Sequence, residues 1–264
     1  MNIDKKKAGI GCLFLILLWL AIAIPYRCAH PLHEDTATGE QPTAEQIAKK
    51  IAWYYTLEDS NGLNRIKDSL RVFYPDAPQN DSVEKYIKLL HEKHTAFLAR
   101  CAKAFSQLRK NDDKFEHTTW YKNSHFTHDV NSNHLSLYIG QKEHDIWLRL
   151  FISYYGNDWI FFDKAQLLLN DYTCTIPFNK YKDKDTDNSG GMVWEWIDVP
   201  VDESLLIGIH NLASSELTTC KLRLSGKYTD ERDITPTEKA AFQQVLDAYE
   251  HLYANGNTGI EPPH

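Results

Sequence analysis

No Cys-x-x-Cys pair occurs in this chain; its five cysteines stand at 12, 28, 101, 174 and 220, which excludes a zinc ribbon. A glycine-rich phosphate loop is missing as well. Ser82-Val-Glu-Lys85 has the Ser-x-x-Lys spacing of penicillin-recognising enzymes, but the Ser-Asp-Asn and Lys-Thr-Gly elements of that chemistry are absent. His91-Glu-Lys-His94 is one residue short of the zinc-protease helix, which needs histidines four apart, and position 95 is threonine. A basic surface is also lacking. The first 25 residues hold three lysines against one aspartate, so the rest carries −9 of a chain whose net charge is −7. Nucleic-acid binding needs cations to displace counterions, so a nucleic-acid partner is excluded.

What is present begins at the N-terminus. Met1–Lys7 is basic, and Ala8–Ile24 runs 17 residues without a charge before Pro25. Lysines ahead of an apolar run hold the start of the chain in the cytoplasm and deliver the remainder across the membrane. Residues 8–25 therefore read as a transmembrane anchor or an uncleaved signal; the run is at the short end of a spanning helix. Cleavage near Ala23 is the alternative. A lipidated Cys28 fits less well, because Pro25-Tyr26-Arg27 lacks the small residues such a site requires.

Residues 26–42 read as a tether, and 43–111 as a helical segment. Thr43 opens a helix with Gln46 as its capping-box partner, and Asn61-Gly62 is expected to break it. Leu63, Ile66, Leu70 and Phe73 give a second helix ending before Pro75. Asp81, with Glu84 three residues on, is expected to cap a long helix from Ser82 to about Lys110. Its stripe is Val83, Ile87, Leu90, His94, Phe97, Cys101, Ala104 and Leu108.

From 112 to 254 the period changes to strands, at Leu135–Ile139, Ile146–Tyr155, Trp159–Leu169, Cys174–Phe178, Val193–Val199 and Thr218–Ser225. Turns are expected at Gly140, Asn170-Asp171 and Ser189-Gly190-Gly191, and a hairpin at Gly156-Asn157-Asp158. Ser204–Ser214 reads as a short helix. Thr235-Pro236-Thr237-Glu238 starts a final helix, with threonine cap, proline in the first turn and glutamate at the third position. The fold class is α+β: an anchor, a helical segment, then an antiparallel, sandwich-like sheet domain with a C-terminal helix packed on it. Residues 255–264 read as a disordered tail. Cys174 and Cys220 fall in strands, either as a bridge or as two small buried hydrophobes.

Asp113-Lys-Phe-Glu-His-Thr-Thr-Trp120-Tyr121, Leu137-Tyr138-Ile139-Gly140, Asp158-Trp159-Ile160-Phe161 and Gly191-Met-Val-Trp-Glu195-Trp are arranged in a recognisable order. With Lys221-Leu-Arg223-Leu-Ser-Gly226-Lys-Tyr228 and Leu246-Asp-Ala-Tyr249, the stretch 112–253 resembles an uncharacterised bacterial and phage module of envelope or exported proteins. The resemblance implies an envelope location and brings no catalytic residues.

Two constellations remain. Asp183, Asp185 and Asp187 alternate as the first three ligands of a calcium loop do. However, Asn188 replaces the glycine at position six, and Trp194 stands at twelve with Glu195 one residue late. Calcium is the only cofactor expected here, and a solvated acidic hairpin loop is the simpler reading. Along Asp145–Tyr155, one face is Ile146, Leu148, Leu150 and Ile152; the other is Trp147, Arg149, Phe151, Ser153 and Tyr155. The second is either a packed layer with Arg149 paired to Glu195, or a contact face built from Trp147, Arg149, Phe151, Tyr155 and Glu195. The functional expectation is a membrane-anchored, extracytoplasmic, non-catalytic binding module for an envelope protein or ligand. Two alternatives stand beside it. One is a metal-assisted hydrolase using the histidines of 117–144. The other is an assembly factor making contact through the 82–110 helix.

Overall fold

Thr43 caps the first helix as its sequence requires. Its hydroxyl accepts the Gln46 N–H, and the Gln46 side chain accepts the Thr43 N–H at 2.7 Å. The computed structural model describes residues 42–124, 131–214 and 217–256, in two compact units that divide between Ala99 and Arg100. Among the described residues no helix is long and apolar enough to cross a membrane. The apolar run 8–24 and the tail 257–264 lie outside them.

The first unit holds α1 (Ala44–Thr56), α2 (Ser60–Phe73) and most of α3 (Gln79–Ser106). The break falls at Leu57–Asp59 rather than Asn61-Gly62. Asp59 accepts the Gly62 N–H at 2.8 Å and caps α2, so Asn61 and Gly62 form its first turn. An aspartate placed to bond the third N–H ahead outweighs one glycine as a helix breaker. The long helix likewise begins at Gln79, with Asp81 in its first turn. Ile47, Ile51, Leu63, Leu70, Val83 and Leu90 make the core. His94, placed by its spacing on the apolar stripe, is exposed. Leu90→Asp is expected to lower stability by about 3 kcal/mol, because an unpaired carboxylate replaces a buried isobutyl group. A urea midpoint equal to wild type would show this face to be solvated.

The second unit is α+β with two antiparallel sheets. Ten strands make them: β1 (Arg109–Asp113), β2 (Thr118–Lys122), β3 (His134–Lys142), β4 (Asp145–Gly156), β5 (Lys164–Leu169), β6 (Tyr172–Ile176), β7 (Lys184–Ser189), β8 (Met192–Pro200), β9 (Cys220–Ser225) and β10 (Thr229–Asp233). The six-stranded sheet has the order β1-β2-β3-β4-β8-β7, and the four-stranded sheet β10-β9-β5-β6. Two helices complete the unit: α4 (Glu203–Ala213) packs on β5, β6 and the C-terminal helix α5 (Pro236–Gly256), which lies on β3 and β4.

Two expected turns move. Gly140 sits inside β3, facing Trp147 across the strand pair, and the turn comes at Glu143 with a positive φ. Gly156-Asn157-Asp158 does not close a hairpin, because β4 pairs with β3 and β8 while β5 belongs to the other sheet. The segment 157–163 is the crossing between sheets. Gly190 and Gly191, both at positive φ, turn β7 into β8, as a two-residue hairpin loop demands. Cys174 and Cys220 carry free thiols on β6 and β9, which flank β5 from opposite sides, so no bridge joins them.

The domain boundary also moves, from 112 to Arg100. Cys101 and Ala104 are buried, Arg100 Nε donates to Asp247 Oδ2 at 2.8 Å, and β1 starts at Arg109. A fragment beginning at Arg100 is expected to melt cooperatively. One beginning at Asp112 loses these contacts and most of β1, and is expected to show no cooperative transition by circular dichroism.

Candidate functional site

Val193, Glu195, Ile197 and Val199 alternate along β8, so the pleat carries Glu195 to the same buried face as three aliphatic residues. Glu195 is 0% exposed. A carboxylate there must be fully hydrogen-bonded. Oε1 accepts the N–H of Ile160 at 2.7 Å and of Phe161 at 2.8 Å, while Oε2 accepts that of Phe162 at 3.1 Å. Lys184 Nζ donates to Oε2 at 2.5 Å and to the Phe162 carbonyl at 2.7 Å, with its ammonium 4.2 Å from the Phe162 ring centre.

This clamp fixes the crossing segment. Ile160 and Phe162 go into the core, and Phe161 between them turns outward with φ +53° and 51% exposure. A left-handed backbone at a bulky aromatic residue is strained and persists only where its surroundings impose it. The imposition is double. Tyr228 N–H donates to the Ile160 carbonyl at 3.1 Å, and Asp163 N–H to the Ser225 carbonyl at 2.9 Å. A Cβ at Gly226 would lie 2.1 Å from the Phe161 carbonyl oxygen, so only glycine admits this approach.

The clasped turn displays rings beside ammonium groups. Trp159 and Phe161 stack at 5.9 Å and 25°. Lys227 Nζ lies 5.9 Å from the Phe161 centroid and 5.1 Å from that of Tyr228, itself 51% exposed. On the adjoining loop Lys180 pairs with Asp163 at 3.6 Å and lies 5.3 Å from the ring of Tyr181, which is 87% exposed. Such a surface offers apolar area and cation–π contacts.

Of the contact residues expected from the sequence, Trp147, Arg149, Phe151 and Tyr155 do share one face of β4. Glu195 does not, and its expected pairing with Arg149 is corrected. Arg149 Nε donates to Asp198 Oδ1 at 2.8 Å and to the Tyr138 hydroxyl oxygen at 3.0 Å; that hydroxyl donates to Asp198 Oδ2 at 2.6 Å. Burial, then the neighbouring Asp198 carboxylate, pushes the Tyr138 hydroxyl well above the usual tyrosine range. Burial pulls the Arg149 guanidinium down, and Asp198 and Tyr138 together more than offset this and raise it. Phe151 and Tyr138 are buried, and Trp120 meets Trp147 edge-on at 5.8 Å and 89°. The middle of this face is a packed layer. At its far end lie Tyr155 and Trp194, both half-buried, with their rings 6.1 Å apart. Phe161, Lys227, Tyr228 and Tyr181 were not singled out by sequence pattern; an aromatic residue beside a lysine was the available signal in three of the four.

Asp185 and Asp187 lie on a strand rather than on a curled loop. They lie on β7 opposite Trp196 and Trp194, spread along an exposed edge, and Asp183 accepts the Asn179 N–H at 2.8 Å. An extended strand spaces alternate residues by about 7 Å, too far to wrap one ion as a curled loop does. Among the described residues no group of three His, Cys, Asp or Glu is placed to hold a metal. Millimolar calcium is therefore expected to leave the melting temperature unchanged, and Asp185→Ala to be nearly neutral; a calcium-dependent rise of several degrees would overturn this. His134 is buried against Ser132, while His117 and His144 are exposed; His125 and His128 lie outside the described residues. Ser82 and Lys85 are exposed on α3, where the Ser82 hydroxyl donates to the Pro78 carbonyl. No family model, no curated protein and no solved structure matches the chain.

Proposed function

We propose that the chain is a membrane-anchored envelope protein whose folded body is a non-catalytic binding module. The contact surface in this reading is the clasped turn around Phe161. The carrying observation is a strained aromatic residue held outward by the clamp that the fully buried Glu195 makes with Lys184. Ordering costs are met during folding, so a partner meets a rigid surface. Attachment rests on the basic start and the apolar run 8–24, and the extracytoplasmic orientation on the lysines before it.

A photo-reactive phenylalanine analogue at position 161 or 228 in cells tests the contact, with position 172 (an exposed tyrosine on the β6 edge) as control. Adducts at 161 and 228 but not at 172 are expected. An identical pattern at all three positions would refute the assignment. A C-terminal reporter that is active only in the cytoplasm would refute the orientation.

A further inference from the structure

We infer that the occupant of the clasped turn is a lipid bilayer surface, entered at the depth of the headgroups by Trp159, Phe161 and Tyr228. This inference rests on the reading that residues 8–25 attach the chain to a membrane, and it specifies what the module touches once attached.

The side chains are those of a membrane–water interface. Tryptophan and tyrosine concentrate there because each has an apolar ring with one polar end. Lysine joins them because its aliphatic stem lies along apolar surface while the ammonium reaches phosphates. At this turn Lys227 lies beside both Phe161 and Tyr228, and Lys180 lies beside Tyr181. The ring-and-lysine unit therefore occurs twice, on neighbouring loops joined by the Lys180–Asp163 pair.

Charge points the same way. Outside the first 25 residues the chain is strongly acidic and would be repelled by an anionic membrane. The residues of the turn and its adjoining loops depart from that balance. Segments 158–164, 178–183 and 226–228 contain four lysines against three aspartates. This surface is one on which the general repulsion is relieved.

Rigidity supplies the third argument. A flexible loop would lose ordering entropy on insertion, whereas this one is already fixed by Glu195, by the Tyr228–Ile160 hydrogen bond and by the close passage of Gly226. The strain at Phe161 has no internal return, since its ring is turned away from the core that receives Ile160 and Phe162.

The test uses the full chain reconstituted into vesicles of phosphatidylethanolamine and phosphatidylglycerol containing a headgroup-nitroxide lipid. An environment-sensitive fluorescent amino acid replaces residue 161, 228 or, as control, 172. Quenching several-fold stronger at 161 and 228 than at 172 is expected, and Lys227→Glu should reduce it at 161. Vesicle flotation is read on the same samples. If the chain floats and all three positions quench equally or not at all, the bilayer contact is overturned while the anchored module stands. If the chain does not float, the attachment reading and this inference fall together.

Discussion

Replacing Glu195 by alanine is expected to destabilise the second unit by about 5 kcal/mol. The carboxylate is fully buried and accepts three consecutive backbone N–H groups as well as the Lys184 ammonium. Removing it strands the buried Ile160 and Phe162 N–H groups, takes the acceptor from the Phe161 N–H, and leaves the Lys184 ammonium with the Phe162 carbonyl but no counter-ion. Breaking a buried ion pair from one side costs about 3–5 kcal/mol, and each stranded donor adds to that. The reverse substitution is gentler. Lys184→Met leaves Glu195 without its counter-ion but with its three N–H donors, and keeps an apolar chain against the Phe162 ring, so a loss at the low end of that range, about 3 kcal/mol, is expected. The order of the two, Glu195→Ala well beyond Lys184→Met, is what urea unfolding should return. A loss below about 2 kcal/mol for Glu195→Ala would mean that the crossing segment is held by other contacts. Because the clamp also shapes the Phe161 turn, Lys184→Met should weaken lipid quenching at 161 in protein that is still folded.

The sequence made the helices of the first unit legible because each rule there is local. A threonine with glutamine three residues on, an apolar stripe at helical spacing and a proline stop act within a few residues of where they are read. The sheets were legible as strands but not as two sheets. Whether Gly156-Asn157-Asp158 closes a hairpin or crosses between layers depends on which strand β4 pairs with, and that is decided by β8, far along the chain. β2 was also not among the expected strands, and β1, β7 and β10 escaped notice for another reason. Each is an edge strand of largely polar residues, Arg-Lys-Asn-Asp-Asp, Lys-Asp-Thr-Asp-Asn-Ser and Thr-Asp-Glu-Arg-Asp, and charge on an edge prevents pairing with other chains. Strand propensity does not register this. The inward orientation of Glu195 was legible, since alternation with Val193 and Ile197 assigns it to the inward face. A glutamate in such a register has its partner in the core rather than on the face of Arg149.

Glu238 gives the second large effect and a pH signature with it. It is buried at the start of α5, where Oε2 accepts the Thr235 N–H at 2.9 Å and Oε1 the Leu135 N–H of β3 at 3.1 Å. Arg232 reaches it with two nitrogens, at 2.9 and 2.7 Å. One side chain thus serves as capping-box partner, as a tie between helix and sheet, and as anion for a largely buried guanidinium. Burial pushes its carboxyl up, but Arg232 and the Thr235 N–H outweigh this and hold it below its ordinary value. A carboxyl depressed in the folded state contributes stability that is fully present above the unfolded pKa of about 4.3, and that contribution is lost as pH falls through the lower folded value. Glu238→Ala is expected to cost about 4 kcal/mol at pH 7, from a stranded buried N–H and an unpaired arginine. Glu238→Gln keeps the shape and removes the charge, so its deficit against wild type should be constant from pH 7 to about 5 and shrink below 4. Urea midpoints measured across that range decide it. A deficit that stayed the same down to pH 3 would mean that Glu238 is held by shape and hydrogen bonding rather than by its charge.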